Sequence, residues 1–220
     1  MRWLRGDFGT SNRDNRAIAE KLSRPLSITL IMSTLAMILA YSSGIFLAFY
    51  GTLHREKRRS RWLTTGLFGL YALPTFWIAT LAVVFLTTPT YGLKFFPSIG
   101  LADTASKSID FEWFTANFAR LILPILCMML HPMTVIARQL SGSMREVLPL
   151  DFIRTARAKG LSTPVILRGH VFQNAVFPLI TLLGAMLPSV IAGSFIVELI
   201  FNIPGMGRAA FDAFLNAILR

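Results

Sequence analysis

Charged residues and cysteine are both scarce in this chain, and each scarcity excludes a class of protein. Only 15% of the 220 residues are charged, whereas a soluble domain of this size normally carries about 25%. The one cysteine, Cys127, lies inside an apolar run and cannot form an internal disulfide. No Cys/His spacing resembles a metal site. We therefore expect neither a disulfide framework nor a metal or other cofactor.

Acidic residues are also few, and their shortage leaves the chain strongly basic. There are 11 Asp and Glu against 22 Lys and Arg, which gives a formal net charge of +11. Such an excess is typical of nucleic-acid-binding domains, but here the cations lie in short blocks between long apolar runs. Basic blocks beside apolar runs are typical of the cytoplasmic loops of membrane proteins. We therefore expect a lipid bilayer as a partner, and no nucleic acid.

Four apolar runs supply enough length to cross a membrane as helices. A bilayer core of about 30 Å needs roughly 20 apolar residues in helical conformation. The runs cover residues 26–50, 62–86, 119–137 and 175–200. The last three contain prolines, which are tolerated when neighbouring helices satisfy the freed carbonyl groups. This pattern predicts an all-α fold, a polytopic helix bundle in a membrane.

Signatures of catalysis are missing. The sequence contains no G-x-x-x-x-G-K-[ST], the loop that cradles nucleotide phosphates. It has three histidines, His54, His131 and His170, and only His131 lies in a predicted span. No convincing nucleophile–base pair accompanies it. A membrane enzyme such as an intramembrane protease is therefore disfavoured, and we expect no catalytic residues.

The charges between the runs indicate how the chain crosses the membrane. The linker 54–61 holds five Lys/Arg, the linker 87–117 only two, and the linker 139–174 is again basic. This alternation predicts that the first and third linkers are cytoplasmic. Residues 1–25 hold six Lys/Arg although they must then lie outside. Summed over all segments, the excess of Lys and Arg on the cytoplasmic side is therefore slight. We expect residues 1–25 to form a periplasmic or interfacial segment, and residues 26–220 a transmembrane domain with a cytoplasmic loop at about 139–174.

That loop contains a pattern of helix, glycine turn and helix. Asp151 can cap a short helix and favour its dipole, and Gly160 interrupts that helix. Ser162-Thr163-Pro164 is a typical start of a second helix. The small residues Ala156 and Gly160 would let another protein approach closely. The nearby cations are Arg154, Arg157 and Lys159. The segment is either a solvated amphipathic loop or a docking element that fits a groove in a cytoplasmic partner.

Four stretches of the sequence resemble one known family. They are LRGDFGTS at 4–11, DFIRTARAKGLS at 151–162, HVFQNAVFP at 170–178 and FIVELIFNIPGMGR at 195–208. In this order they are similar to the binding-protein-dependent dipeptide/oligopeptide permeases of ABC importers, and to the first of their two permease subunits. DFIRTARAKGLS resembles that branch's version of the EAA coupling loop, in which Arg-Thr stands where the general motif has Glu-Ala. The similarity extends from Leu4 to Asn216.

The resemblance implies a fold, a function and partners. The fold would be the helix bundle of the type I ABC importer permeases in the bacterial inner membrane. The chain would form half of the pathway of an importer for peptides or peptide-like solutes. Its partners would be a second permease subunit, two cytoplasmic ATP-binding subunits and a periplasmic substrate-binding protein. The resemblance also implies which residues couple the chain to the ATPase. They are Asp151, Arg154, Ala156, Arg157, Lys159, Gly160 and Leu161.

Four further residues are candidates for the pathway or its gate. His131 lies in the middle of the third run, and Glu198 lies near the outer end of the fourth. Acids inside a membrane are costly and often functional. Both residues also have plain structural explanations, a packed hydrogen-bonded histidine and a carboxylate that reaches the interface. Pro204 and Gly205 predict a tight external turn, which in the family faces the binding protein and the gate.

Two alternative functions stay open at this point. A self-contained secondary transporter or channel is disfavoured because the runs hold few charges, no repeat is present and the cytoplasmic loop is large. The family normally begins with a transmembrane helix and a longer periplasmic stretch, and it ends with a last helix. We therefore expect this chain to be truncated at both ends. An inactive fragment of such a permease is the main alternative to a working subunit.

Overall fold

The computed structural model describes residues 9–11, 15–89, 93–97, 99–102, 109–192 and 194–218. Within these ranges the chain is helical, and strand pairing is limited to one isolated bridge, Thr10 to Ala17. The helices are α1 (Ile18–Leu53), α2 (Arg58–Ala72), α3 (Thr75–Leu86), α4 (Phe111–Val147), α5 (Asp151–Ala158), α6 (Thr163–Ile166), α7 (Phe172–Ala175), α8 (Phe177–Ala192), α9 (Phe195–Ile200) and α10 (Met206–Ile218). The expected all-α fold is confirmed.

Three helical stretches in the described part of the chain are long and apolar enough to cross a membrane. They are α1 with 36 residues, α4 with 37 residues, and Phe177–Ile200 with 24 residues, which takes in α8 and α9. The first, third and fourth predicted runs are thereby confirmed as helical. Pro188 lies inside α8, in agreement with the expectation that prolines are tolerated within the spans.

The second predicted run, 62–86, is not one continuous helix. It is divided into α2 and α3, and it could cross a membrane only as a broken span. Pro74 has no N–H, and its ring disfavours the helical conformation in the residue before it. Leu73 accordingly has φ −80° and ψ 127°, and its N–H donates to Leu70 O at 3.3 Å. Pro74 was expected to be tolerated within this span; here it divides the run into two helices, because the steric effect of the proline prevails over the apolar continuity.

The chain folds into two compact units, each drawn from several parts of the sequence. The first unit takes in the described parts of residues 1–35, 75–128 and 188–220. The second unit takes in residues 36–74 and 129–187. One part of α1 therefore belongs to the first unit and the rest to the second, and the same holds for α4.

The second unit has an apolar core that includes much of the segment 139–174. Its fully buried members include Ile136, Leu140, Met144, Ile153, Leu167 and Val171. α1 approaches α4 closely here, since a Cβ added at Gly44 would lie 2.9 Å from Ile136 Cγ2. α4 continues to Val147, so the predicted linker begins as helix and packs part of its length into this core.

A π-helical turn interrupts the helix that follows. It covers Leu167–Val171 and joins α6 to α7. Leu167, Val171, Ala175 and Leu179 are each at most 2% exposed, and all four belong to the core of the second unit. A buried row with a spacing of four residues therefore runs from this turn into α8.

Candidate functional site

α5 is a short helix whose first turn carries an acidic side chain. Its N-cap is Leu150, with φ −67° and ψ 149°, so the expectation that Asp151 caps the helix was wrong. Asp151 lies one residue inside the helix, where its charge complements the helix dipole. Its carboxylate accepts from Arg154 Nη1 at 3.2 Å. The Arg154 and Asp151 side chains are 74% and 95% exposed, and such surface pairs contribute only about 0–1 kcal/mol.

A glycine turn closes α5 in a Schellman arrangement. Gly160 has φ +81°, a left-handed conformation that glycine adopts without a Cβ penalty. The Gly160 N–H donates to Arg157 O at 2.9 Å. The Leu161 N–H donates to Ala156 O at 3.3 Å, and this pair of bonds defines the motif. α6 begins directly after Ser162, so the predicted order of helix, glycine turn and helix is confirmed.

The predicted coupling residues do not all share one face of α5. Arg154, Lys159 and Gly160 are exposed, and Leu161 is 38% exposed. Ala156 is only 6% exposed, and together with the fully buried Ile153 it packs into the core of the second unit. The expectation that Ala156 and Gly160 form one small-residue face toward another protein was therefore wrong. The spacing of three residues between Ile153 and Ala156 places both on the inward side of the helix.

Arg157 lies neither in the core with Ala156 nor on the free outer surface with Arg154. It lines a polar cavity of about 580 Å³ together with three other cations, Arg55, Lys57 and Arg145. These cations come from the linker after α1 and from the last turns of α4. Their sequence positions gave no indication that they would meet.

Glu198 is a buried carboxylate that connects three helices of the first unit. The residue is only 1% exposed. Thr29 Oγ1 of α1 donates to Glu198 Oε1 at 2.7 Å, and the Arg208 N–H in the first turn of α10 donates to Glu198 Oε2 at 3.1 Å. The Thr29 hydroxyl oxygen accepts from the Met206 N–H at 2.8 Å. The carboxylate thus caps the N-terminus of α10 from α9, a placement that the helix dipole favours.

The turn between α9 and α10 is packed around this carboxylate. The Gly205 N–H donates to Ile203 O at 2.9 Å, which confirms the expected tight turn beside Pro204. A Cβ added at Gly205 would collide with the carboxylate of Glu198. A Cβ added at Gly207 would lie 2.5 Å from the backbone Cα of Phe195. Close packing, rather than an open loop, therefore requires both glycines.

His131 lies on an exposed surface of the second unit. Its ring stacks on that of Tyr71, with centroids 5.1 Å apart. The guanidinium of Arg138 lies 4.4 Å from the centroid of Phe68 and 4.9 Å from that of Tyr71. Sequence reasoning missed this cluster, in which Tyr71 contacts both His131 and Arg138. The seven-residue spacing of His131 and Arg138 on α4 was the available signal, because it places both on one face of a helix.

No metal site emerges from the part of the chain that the structure describes. Within those residues, no group of three or more His, Cys, Asp or Glu side chains could hold a metal ion. Cys127 is a buried free thiol. The candidate sites within the described residues are the α5 turn, the buried Glu198 cluster and the cation–aromatic patch around His131.

The chain matches one protein family over most of its length. The family is described as the binding-protein-dependent transport system inner membrane component, and it matches residues 40–219. The dipeptide transport system permease protein DppB of Bacillus subtilis (strain 168) is 35% identical over 207 residues, which cover 92% of this chain and 60% of the relative. The oligopeptide permease protein AppB of the same organism is 33% identical over 222 residues, 97% of this chain and 67% of the relative.

A third relative extends the comparison to another organism. DppB of Escherichia coli (strain K12) is 34% identical over 229 residues, which cover 96% of this chain and 66% of the relative. The chain thus spans between 60% and 67% of the length of these three relatives. The expected resemblance and the expected permease fold are confirmed. The chain is a multi-pass inner-membrane protein, and it belongs to the family of binding-protein-dependent transport system inner membrane components.

Proposed function

We propose that the chain is a transmembrane subunit of an ATP-driven importer for peptides or peptide-like solutes. It forms half of the translocation pathway and performs no chemistry of its own. The relatives named above are permease proteins of dipeptide and oligopeptide transport systems, which supports a peptide-like substrate. Its partners are a second permease subunit, two cytoplasmic ATP-binding subunits and a periplasmic substrate-binding protein. In this arrangement the segments 54–61 and 139–174 face the cytoplasm, and residues 1–25 are periplasmic or interfacial.

The observation that carries this proposal is the construction of the α5 turn. Arg154, Lys159, Gly160 and Leu161 are exposed, while Ile153 on the opposite side is fully buried in the core of the second unit. A partner that moves against the outer face therefore displaces the core rather than bending a loose loop. Coupling also requires that the partner contact this face differently in its two states. Asp151 and Ala156 support the helix, and Arg157 flanks the contact.

The candidate pathway and gate residues have different surroundings, and we assign them different roles. His131, with Tyr71 and Arg138 beside it, offers exposed aromatic and cationic groups that suit the carboxylate and side chains of a peptide. Glu198 is buried and instead fixes the start of α10. We assign Glu198, Pro204 and Gly205 to a rigid element at the gate, and His131 to the pathway surface.

Affinity purification tests the assembly. The tagged chain is purified from membranes in mild detergent, and every retained protein is identified by mass spectrometry. Recovery of a second permease and of ATP-binding subunits is expected. Recovery of the chain alone, with expression and insertion confirmed, would contradict the proposal and favour a non-assembling fragment.

Cysteine crosslinking tests the docking face. Because Cys127 is buried, a cysteine introduced by Lys159→Cys is an accessible thiol in the turn that ends α5. We expect it to crosslink to the ATP-binding subunit. Ala156→Cys, on the inward side of the same helix, is the matched control and should not crosslink. Equal crosslinking at both positions would show that α5 does not dock by its outer face.

The source of energy separates this proposal from a secondary transporter. Uptake of a labelled dipeptide by cells that express the complex should stop when ATP is depleted. It should continue when an uncoupler collapses the proton gradient and ATP is maintained. The reverse pattern would identify a gradient-driven transporter.

A further inference from the structure

Two adjoining cavities lie in the second unit, at the end of α1. The first is a groove of about 450 Å³ between α1 and the segment from α6 to α7. Its apolar lining includes Ile45, Phe49, Leu53, Leu167 and Phe172. The second is the polar cavity of about 580 Å³ that Arg157 lines. Leu53 and Leu167 line both, so an apolar groove leads directly into a polar cavity.

The polar cavity carries an excess of positive charge. Arg55, Lys57, Arg145 and Arg157 line it, together with one carboxylate, that of Glu56. All four cations are exposed, and within the described residues none of them takes part in an ion pair. Their charges are therefore available to an anionic ligand.

The change from apolar to basic lining coincides with the end of a membrane span. α1 ends at Leu53, and the basic linker follows at once. The groove thus lies beside the last turns of the span, and the basic cavity lies where a helix leaves the hydrocarbon core for the headgroup region. Charge alternation predicts that this end of α1 is cytoplasmic, and the cytoplasmic leaflet is rich in anionic lipids that attract juxtamembrane Lys and Arg.

We propose that this surface binds an anionic phospholipid. One acyl chain lies in the groove between α1 and α7, and the phosphate lies among the four cations. Arg168 also lines the groove and supplies one positive charge there. An amphiphile is favoured because a soluble phosphate compound would leave the apolar groove empty. An acidic protein segment would leave it empty as well. Both volumes fall within the roughly 300–1,000 Å³ that is usual for small-molecule sites.

The headgroup contact is tested by lipid titration of the purified complex. Delipidated protein is titrated with phosphatidylglycerol and, separately, with phosphatidylcholine, and binding is followed by native mass spectrometry. Arg55→Gln combined with Lys57→Gln should weaken phosphatidylglycerol binding about 25-fold, from about fivefold for each cation. The control is Arg58→Gln combined with Arg59→Gln, which removes the same charge from exposed positions that do not line the cavity. It should leave binding unchanged.

The acyl-chain contact is tested by photocrosslinking. A phosphatidylglycerol with a diazirine in one acyl chain is added to the same complex, and the labelled peptides are identified after irradiation. Labels should fall on the stretches Ile45–Leu53 and Leu167–Phe172, and they should be lost in the Arg55/Lys57 variant but kept in the control. Arg145→Gln, on another element, should reduce labelling independently.

Three results would overturn the proposal. The first is equal binding of phosphatidylcholine and phosphatidylglycerol, and the second is an equal loss of binding in both double variants, which would indicate general electrostatic attraction. The third is a groove that takes up no acyl chain, seen either as crosslinking outside it or as its occupation by a co-purified protein subunit.

Discussion

The turn at Gly160 offers a sharp test of how the α5 segment works. Its φ of +81° costs a residue with a Cβ about 1–2 kcal/mol, whereas Asn tolerates this conformation better. Among the described residues, a Cβ at Gly160 meets no heavy atom within 4 Å, so the cost of Gly160→Ala is backbone strain alone. A change of 1–2 kcal/mol shifts the ratio of the formed to the unformed turn by roughly 5–30-fold.

A series of substitutions separates strain from steric interference. Gly160→Asn should retain most transport, and Gly160→Ala should lower it, by at most roughly 30-fold, if the turn must be formed for docking. Gly160→Leu should abolish transport, because it adds a bulky side chain to an exposed docking face as well as strain. The assay is ATP-dependent dipeptide uptake into membrane vesicles, with insertion checked by membrane fractionation. Insertion should be unaffected in all three variants.

Gly142→Ala is the matched control for this series. Gly142 lies within α4, and a Cβ there also meets no described heavy atom within 4 Å. Its backbone is helical, so alanine should be neutral or slightly stabilising. Normal uptake by a complex that carries Gly160→Leu would refute the docking role. Equal impairment by Gly142→Ala and Gly160→Ala would refute the strain argument.

Three further predictions concern packing, and each is measured by thermal unfolding of the detergent-solubilised complex. Gly44→Ala should cost about 1–3 kcal/mol by overpacking α1 against α4, and combining it with Ile136→Ala should cost less than the sum of the two single changes. If the two free-energy costs were simply additive, the contact between Gly44 and Ile136 would be contradicted. Glu198→Ala should cost about 1–3 kcal/mol for each of the two donors that it leaves unpaired, and Glu198→Gln should cost less because one carbonyl oxygen remains. An equal loss in both variants would argue against the hydrogen bonds. Gly207→Ala should be more damaging than the helical control above, because its Cβ would press on the main chain of Phe195. Equal stability of the two alanine variants would contradict this packing.

The features that sequence could predict are those set by local physics. The long charge-free run of α1 and the break after α5 at Gly160 depend on hydrophobicity and backbone conformation, which neighbouring residues determine. Pro74 was visible as well, but its effect was not. A proline inside a span either bends or divides it, and the outcome depends on whether other helices satisfy the freed carbonyl groups.

The features that sequence could not predict depend on contacts between distant segments. Glu198 accepts a hydrogen bond from Thr29, 169 positions earlier, and no local pattern relates the two. The direction in which Ala156 points is likewise fixed by the core against which α5 packs. The four cations of the polar cavity lie on three segments, and only the fold brings them together. Charge counts along the chain could identify basic blocks but not a binding site.

The π-helical turn has a consequence for periodicity. In a regular α-helix, residues four apart drift by about 40° around the axis, so the row Leu167, Val171, Ala175 and Leu179 would rotate by about 120° from end to end. The wider turn absorbs part of this rotation and keeps the row on one side. A search of the sequence for apolar residues at a period of 3.6 therefore underestimates the amphipathic character of this segment. The segment 163–179 looks like a polar linker until this four-residue repeat of buried apolar residues is recognised.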